Sequence, residues 1–219
     1  MNKPVVFFGV SDLAKMLYTL SQNMQDLNVV AFMADDDYCF DTEFCGLPVW
    51  KSSMINSDMT EKYDFLLCVG YKNMRNRKMI FDKLLERGCR FINFIFPTVT
   101  ILPAVQMGVN NIFLSNVTIE NNVEIGSNNI FWSQSLVGHN AIIENHNFIG
   151  AKSLVGGNCT MGSLCFFGTL ACTINDLTIN DETFLIAGSV LFKNSKKYGK
   201  YFGNPAKVID FHEENGICI

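Results

Sequence analysis

The 219-residue sequence lacks several features that would assign it quickly to a class of protein. Its eight cysteines form no CxxC pair and no zinc-finger spacing, so we expect reduced thiols rather than disulfides or a structural metal. It has no run of about 18 apolar residues, and its first stretch, MNKPVVFFGV, has too short an apolar core for a signal peptide. A net charge of −4 without a Lys/Arg run leaves no basic face for nucleic acid. These absences predict a cytoplasmic protein with no membrane insertion and no nucleic-acid partner.

The chain is rich in apolar residues and poor in charge, as a well-packed protein is. Hydrophobic residues make up 48% of the sequence and charged residues 17%, over a length that allows one large core or two modest ones. The composition therefore excludes a disordered chain.

A repeat of six residues organises the second half of the chain. The first place of each hexad is apolar in every case except Thr173, and the second is often glycine. From Ile101 the hexads read ILPAVQ, MGVNNI, FLSNVT, IENNVE, IGSNNI, FWSQSL, VGHNAI, IENHNF, IGAKSL, VGGNCT, MGSLCF, FGTLAC, TINDLT, INDETF, LIAGSV. Neither a helix nor an ordinary half-buried strand repeats every six residues, so this period predicts short strands separated by turns. Residues 101–190 therefore predict a β-solenoid with first-position side chains in its interior.

His139 interrupts the third hexad position, which elsewhere holds mostly small or polar residues. That column is expected to point outward, so a core histidine is disfavoured, which leaves either a plain surface residue or a working one. If three hexads make one coil, Gly157 lies directly above His139 in the next coil and Asn121 lies below it. Because Gly157 has no side chain, we expect an open notch with an approachable backbone N–H beside the imidazole.

The residues before the solenoid alternate between strand and helix patterns. PVVFFG, LNVVAFMADDD, YDFLLCVG and RFINFIF are typical of strands, whereas SDLAKMLYTLSQNMQ and NMRNRKMIFDKLLERG have helical spacing. They predict a small parallel α/β domain that ends near Pro97. Its first turn lacks two glycines of the dinucleotide fingerprint, which disfavours NAD. The acidic run after the second strand either holds a ribose or base, or is a solvated turn.

The combination of these parts resembles a known family. VVFFGVSDLA, FMADDD, LLCVGYKNMRNR, the hexads, VGHNAIIENHNFIG and YFGNPAKVI are similar to the bacterial sugar-nucleotide acetyltransferases of the sialic acid O-acetyltransferase and bacillosamine-pathway N-acetyltransferase type. The resemblance implies a Rossmann-like βαβ domain in residues 1–97, which binds a sugar nucleotide. It implies a left-handed parallel β-helix with a C-terminal tail in residues 98–219. It also implies a homotrimer, and we expected Phe113, Phe131 and Trp132 near the flat faces that association would cover.

The family's chemistry is carried over onto His139. The resemblance implies that this histidine is the general base that takes a proton from the sugar amine or hydroxyl as it attacks acetyl-CoA, the acyl donor. Imidazole suits this task because it ordinarily titrates close to neutral pH. Family members usually have an acidic residue directly after the histidine, but this chain has Asn140, and Glu144 or a neighbouring subunit is the candidate to compensate. The N–H of Gly157 is the nominated oxyanion donor.

The remaining site residues also follow from the resemblance. For acetyl-CoA, held in the groove between subunits, the candidates are Gly157, Gly168, Thr169, Ala187, Gly188, Lys193 and Pro205. For the sugar nucleotide they are Gly9, Ser11, Asp12, Asp35, Asp36, Gly70, Tyr71 and Arg75, with the Arg75 guanidinium expected on a phosphate.

The sequence thus predicts an enzyme that acetylates a nucleotide-linked amino sugar, with a 4-amino-4,6-dideoxyhexose favoured, in surface-glycan synthesis. Sugar O-acetylation and a catalytically silent sugar-nucleotide-binding scaffold are the alternatives. A zinc enzyme with three converging histidines is disfavoured, because His139 and His146 occupy different hexad positions and His212 follows the solenoid. We therefore expect no metal. The choice between nitrogen and oxygen acceptors, the nucleotide and the sugar position stay open.

Overall fold

A computed structural model describes residues 3–219. The amino-terminal part contains β1 (Val5–Phe8), α1 (Asp12–Ser21), β2 (Val29–Ala34), β3 (Glu43–Phe44), β4 (Leu47–Lys51), α2 (Ser57–Lys62), β5 (Asp64–Leu67) and α3 (Met74–Glu86), with 3₁₀ turns at Asp36–Tyr38 and Ser52–Met54. Its five strands form one sheet in the order β3-β4-β2-β1-β5, parallel except for β3. The predicted strands at β1, β2 and β5 and both predicted helices are confirmed. The β3–β4 hairpin and α2 were not predicted.

The rest of the chain is a stack of short strands. They are β6 (Phe94–Ile95), β7 (Thr100–Ile101), β8 (Gln106–Met107), β9 (Ile112–Phe113), β10 (Thr118–Ile119), β11 (Glu124–Ile125), β12 (Ile130–Phe131), β13 (Leu136–Val137), β14 (Ile142–Ile143), β15 (Phe148–Ile149), β16 (Leu154–Val155), β17 (Thr160–Met161), β18 (Phe166–Phe167), β19 (Cys172–Thr173), β20 (Thr178–Ile179), β21 (Phe184–Leu185), β22 (Val190–Leu191), β23 (Gly199–Gly203) and β24 (Ala206–Phe211).

Every third strand pairs in parallel with a shift of 18 residues, as expected if three hexads make one coil. Thr118 lies beside Leu136 and Leu136 beside Leu154, and the same register holds in all three sheets of the solenoid. Strand β6 already pairs with β9, so the solenoid's pairing begins at Phe94, within the RFINFIF run that we assigned wholly to the α/β domain. Phe91, in the same run, does bridge to Phe65 of β5. The run is therefore shared between the two parts.

First-position side chains fill the solenoid interior, which confirms the predicted ladders. Ile119, Val137 and Val155 are fully buried in one continuous core, against which Ile101 and Met107 of the first coil are partly buried. The expectation that Phe113 and Phe131 lie near an outer face is wrong. They occupy first positions and stack inside the solenoid, with ring centroids 4.6 Å apart.

The fourth hexad position turns each corner in the left-handed region of backbone space. All fifteen fourth positions from Ala104 to Gly188 have a positive φ between 52° and 72°. Asparagine tolerates this conformation better than most residues with a side chain, which explains its frequency there. Asn140, with a φ of 57°, is one of these turn residues.

The solenoid has three corners, which we name by their surroundings. The His139 corner follows strands β7, β10, β13, β16, β19 and β22. The α3 corner follows β8, β11, β14, β17 and β20, and it contacts helix α3. The Trp132 corner follows β9, β12, β15, β18 and β21.

The α/β part packs against the sheet that contains β9, β12, β15 and β18. Ile112, Ile130, Phe148 and Phe166 project outward from that sheet, yet they are buried in one cluster with side chains of the α/β part. The Phe148 and Phe166 rings stack at 4.5 Å. The His139 corner lies between the two other sheets, so it points away from this contact.

Candidate active site

The His139 imidazole lies against Gly157 of the next coil, as the 18-residue spacing predicted. A methyl carbon at Gly157 would lie 2.8 Å from His139 Nε2 and 2.9 Å from Cε1, so only glycine leaves room for the ring there. The side chain is half-buried, and Nε2 makes no hydrogen bond to any part of the chain from 3 to 219. The outer nitrogen of the ring is therefore free to meet a ligand.

Three glycines make the surface beside this ring. A side chain at Gly138 would collide with the backbone of Gly157, and one at Gly156 would collide with the Ile174 carbonyl. Close stacking of the coils therefore keeps Gly138, Gly156 and Gly157 free of side chains. The backbone beside the ring, which we call the notch, is therefore bare of side chains at these three positions.

The backbone of His139 is held from both neighbouring coils. Its N–H donates to Glu120 Oε2 over 2.7 Å, and its carbonyl accepts from the Asn158 N–H over 2.8 Å. Glu120 comes from the coil below and was not among the predicted site residues. In the sequence, Glu120 stands 19 residues before His139. This spacing indicates a contact between them only after the coil length is known.

Asn140 contacts the histidine directly. Its Nδ2 lies 3.1 Å from His139 Nδ1 and also donates to Asn158 Oδ1 over 3.0 Å. Glu144 does not replace an acidic partner within this chain, because its Oε2 accepts from Ser163 Oγ at the α3 corner. The described residues thus orient His139 with an amide.

The Gly157 N–H, nominated as the oxyanion donor, already has a partner. It donates to Asn175 Oδ1 over 2.9 Å. An oxyanion would have to displace Asn175 to reach that N–H. Nε2 of His139, by contrast, has no partner within residues 3–219 that a ligand would have to displace.

His146 has the opposite environment. It is 7% exposed, its ring lies 5.7 Å from that of Phe81, and its Nδ1 lies 2.9 Å from Asn128 Nδ2. Burial lowers the pKa of His146 to about 4, with smaller opposing and reinforcing effects from the charges of α3. This histidine is a neutral packing residue.

Four of the predicted sugar-nucleotide residues line one cavity of about 710 Å³. Ser11, Asp12, Gly70 and Tyr71 meet there at the carboxyl ends of β1 and β5. Ser11 also caps α1, where its Oγ accepts from the Ala14 N–H. The cavity is thus built from the first turn of the α/β part and the loop after β5.

Trp132 and Lys72 also line this cavity and were not predicted as site residues. Trp132 comes from the solenoid, and its ring centroid lies 5.6 Å from that of Tyr71. Lys72 brings a cation to the lining. Gly9 lies buried behind the cavity, where a side chain would press on the Cys68 carbonyl, so its role is close packing of the first turn.

Arg75 is not available to a phosphate in this structure. Its Nε and Nη2 donate to both carboxylate oxygens of Glu182, over 2.9 and 3.1 Å, and its guanidinium also donates to the carbonyls of Glu213 and Glu214. The pKa of Arg75 is raised, mainly by the hydrogen bond to Glu182. Arg75 therefore ties α3 to the solenoid and the C-terminal tail, which corrects its predicted contact.

Asp35 and Asp36 lie outside the cavity lining. Both accept hydrogen bonds from Ser52, and Asp36 also accepts from the N–H and Oγ of Ser53, which lowers its pKa. Asp35 forms an ion pair with Lys83 at 3.5 Å. Within residues 3–219 these carboxylates brace the loop after β2, which agrees with the simpler of the two sequence interpretations.

The predicted acetyl-CoA residues lie in three separate places on one chain. Gly157 and Lys193 share the third-position column of His139, whereas Gly168, Thr169, Ala187 and Gly188 lie at the Trp132 corner, and Pro205 lies in the exposed turn between β23 and β24. Gly168 is buried because a side chain there would collide with Ala187. One chain alone does not bring these residues together.

Two features are absent from residues 3–219. No helix in this range combines the length and apolar character needed to cross a bilayer. No three His, Cys, Asp or Glu side chains in it are grouped so that they could hold a metal ion.

The fold is that of bacterial acetyltransferases with solved structures, although no protein-family model matches the chain. A mutant of perosamine N-acetyltransferase from Caulobacter crescentus, in complex with CoA and GDP-perosamine, matches with a TM-score of 0.85 and 21% identity over 96% of this chain and 98% of that one. The acetyltransferase domain of PglB from Neisseria gonorrhoeae, in complex with acetyl coenzyme A, matches with a TM-score of 0.85 and 21% identity over 95% and 100%. WeeI from Acinetobacter baumannii gives 0.67 and 16% over 95% and 100%. The structural likeness that the motifs predicted is confirmed.

Proposed function

We propose that this chain transfers an acetyl group from acetyl-CoA to the amino group of a nucleotide-linked amino sugar, with a 4-amino-4,6-dideoxyhexose favoured. The observation that carries the proposal is the free Nε2 of His139 beside a notch of bare backbone. The ligands named for the structural neighbours, CoA, acetyl coenzyme A and GDP-perosamine, agree with it. The favoured setting is surface-glycan synthesis in the cytoplasm, on a left-handed β-helix preceded by a Rossmann-like domain.

The reaction needs a free amine, a positioned thioester and a proton acceptor. The amine nitrogen attacks the thioester carbonyl, and the tetrahedral intermediate then expels the CoA sulfur, so that an amide bond forms and a C–S bond breaks. His139 takes the proton that the attacking nitrogen loses and can return it to the departing sulfur. The bare backbone of Gly157 leaves room for the imidazole ring that does this.

The cavity for the sugar nucleotide and the histidine lie on different sides of one chain. Trp132 stands at the corner beside the α/β part, whereas His139 projects from a corner that the α/β part does not touch. We therefore propose a homotrimer in which the cavity of one subunit serves His139 of the next, with acetyl-CoA in the groove between them.

Product analysis tests the chemistry. A panel of nucleotide-linked 4-amino sugars and their 4-hydroxy counterparts is incubated with acetyl-CoA, and products are identified by mass spectrometry. We expect acetylation of an amino sugar but not of its hydroxy counterpart. Acetylation of hydroxy sugars alone would establish the O-acetyl alternative, and binding without turnover by any sugar would establish the silent scaffold.

Mixed assemblies test the shared site. The position where Gly70 would carry a side chain is open, so Gly70→Trp should fill the cavity without disturbing the backbone. Inactive Gly70→Trp chains mixed and reassembled with inactive His139→Ala chains should regain activity, because some interfaces then combine an intact cavity with an intact histidine. Activity that stays absent after verified mixing would mean that each site belongs to one chain.

A further inference from the structure

The fourth-position side chains at the His139 corner form a ladder of hydrogen bonds that ends on a carboxylate. Asn122 Nδ2 donates to Asn140 Oδ1 over 3.2 Å, and Asn140 Nδ2 donates to Asn158 Oδ1 over 3.0 Å. Asn158 Nδ2 then donates to Asp176 Oδ1 over 2.9 Å. The coil below Asn122 has Ala104 at this position, so the ladder has one polar end.

The carboxylate sets the direction of every amide in the ladder. Ionised Asp176 can only accept, so Asn158 must turn its NH₂ toward Asp176 and its carbonyl toward Asn140. Asn140 must then turn its own NH₂ toward Asn158. A reversed ladder would bring two oxygens together at Asp176 with no hydrogen between them.

The NH₂ group of Asn140 has a second hydrogen that Asn158 does not use, and its nitrogen lies 3.1 Å from His139 Nδ1. Nδ1 must therefore keep its lone pair, and the hydrogen of the neutral ring must sit on Nε2. We propose that Asp176 is a positioning residue that sets the tautomer of His139 through two intervening amides. It acts from two coils away without touching the ring.

The second amide ladder provides an internal comparison. At the α3 corner the Leu67 N–H donates to Asn110 Oδ1, Asn110 Nδ2 donates to Asn128 Oδ1, and Asn128 Nδ2 meets His146 Nδ1. At the α3 corner the Leu67 N–H fixes the orientation of the amides from the start of the ladder. At the His139 corner Asp176 fixes the orientation of the amides from the end of the ladder. Both ladders deliver an N–H to a histidine Nδ1, but only His139 has Nε2 open to a ligand.

This tautomer has a consequence for acetyl transfer, which rests on the proposed function. The resting ring presents Nε2–H to the notch as a hydrogen-bond donor. It can accept a proton at Nε2 only after its own hydrogen moves to Nδ1, and the ladder opposes that move. A carboxylate in place of the Asn140 amide would accept from Nδ1–H and leave Nε2 ready as a base.

The test compares the ring tautomer in four proteins without any substrate. They are the wild type, Asp176→Lys, Asn140→Asp and the control Glu124→Lys, which makes the same charge change on an exposed strand position. Lysine suits the backbone at position 176 because Lys152 occupies an equivalent left-handed turn. The ring nitrogens are observed by ¹⁵N NMR at a pH of about 8.5, two units above the ordinary histidine pKa, and the His139 signals are assigned by their loss in His139→Gln.

We expect Nε2–H in the wild type and in Glu124→Lys. In Asp176→Lys the ammonium donates to Asn158, which reverses the ladder and moves the His139 hydrogen to Nδ1. Asn140→Asp should give the same Nδ1–H form directly and serves as the positive reference. If Asp176→Lys does not fold, Asp176→Asn replaces it, because its amide can point either way and should give a mixture.

Unchanged tautomer populations in a folded Asp176 variant would overturn the proposal, and so would Nδ1–H in the wild type. Since the measurement uses the free protein, a failure to find acetyl transfer would not affect it. Where acetyl transfer is present, Asp176→Lys should raise kcat severalfold over Glu124→Lys. A tautomer shift with an unchanged kcat would confine the role of Asp176 to the resting ring.

Discussion

The His139 corner and the α3 corner have the same architecture and different surroundings. Each has a column of left-handed fourth positions and a ladder of amides that reaches a histidine. At the His139 corner the ring is half-buried beside a notch, and its Nε2 is free. At the α3 corner the ring is 7% exposed under Phe81 and has a pKa of about 4.

This difference shows how a repeat acquires a site. The coil supplies the same turn at every corner, so the turn alone does not create reactivity. The two corners differ in the residues at the second and third hexad positions next to the histidine. They also differ in the element that covers the corner. At one corner the histidine ring lies over Gly157, and at the other Phe81 of helix α3 covers the ring.

The largest expected effect separates the two histidines by function. His139→Ala should lower kcat by roughly 10²- to 10⁴-fold, the usual worth of a positioned proton acceptor, and should leave the KM for acetyl-CoA nearly unchanged. Steady-state kinetics at pH 7 measure this. A higher pH should partly restore turnover of an amine by the variant, because more of the amine is then unprotonated.

His146→Asn is the matched control for His139→Ala. Asparagine suits the left-handed turn and can continue the ladder from Asn128. Its kcat per folded molecule should equal that of the wild type. Near-normal turnover by His139→Ala would show that His139 is a plain surface residue and would remove the acid–base mechanism.

The next prediction separates the histidines by stability. Neutral His146 is buried with a pKa of about 4, whereas an unfolded histidine titrates at ~6.5, so protonation favours unfolding. The stabilising contribution is complete above pH ~6.5 and is lost as the pH falls from there to about 4. The difference in pKa corresponds to about 3 kcal/mol in the free energy of unfolding.

Urea denaturation at pH 7.5 and at pH 4.5 measures this loss. We expect the wild type to lose up to about 3 kcal/mol more than His146→Asn between the two pH values, because the variant has no group to protonate at that position. Asp82 opposes the lowered pKa, while Lys78 and Arg77 reinforce it. Equal losses in both proteins would mean that His146 accepts a proton without cost in the folded state.

A smaller effect should follow from filling the notch. Gly157→Ala would put a carbon 2.8 Å from His139 Nε2, so the ring must move. Displacement of a catalytic group by about 1 Å can cost as much as 10²-fold in rate, and we expect a loss of roughly 10- to 100-fold in kcat. In a His139→Ala background the same change should have little further effect, because the ring is already absent. Additive losses would mean that Gly157 acts on the substrate and not on the ring.

Much of the solenoid could be predicted from the sequence, because its core obeys a strict period. The period of six indicated the short strands and the interior ladders. Together with three hexads per coil, which the family resemblance implies, it also placed Gly157 next to His139. The many asparagines at the fourth hexad position are the sequence pattern that indicates a left-handed backbone there, but that conformation was not predicted. The amide ladders could not be predicted, since their direction depends on partners 18 residues apart and on the charge at one end.

The residues that join the two parts of the chain were harder to predict. Arg75 has the residue type for a phosphate, yet its nearest carboxylate, on Glu182, is 107 positions away in the sequence. Trp132 lies in an ordinary hexad, and only the packing of the α/β part on the solenoid brings it to the cavity. Such contacts depend on how two surfaces meet, which no local pattern encodes.

The smallest expected effect extends the comparison from the two corners to the cavity beside Trp132. Lys72 lines that cavity, so Lys72→Met should raise the KM for the sugar nucleotide about fivefold, since an exposed charge contact with a phosphate is worth about 1 kcal/mol. The kcat and the KM for acetyl-CoA should not change, because the His139 corner is untouched. Lys78→Met is the control, as Lys78 pairs with Asp82 on α3 away from this cavity.

Arg75→Met should instead lower the melting temperature by leaving the largely buried Glu182 carboxylate unpaired. A higher sugar-nucleotide KM in a fully stable Arg75→Met protein would return the phosphate contact to Arg75 and place the nucleotide against α3.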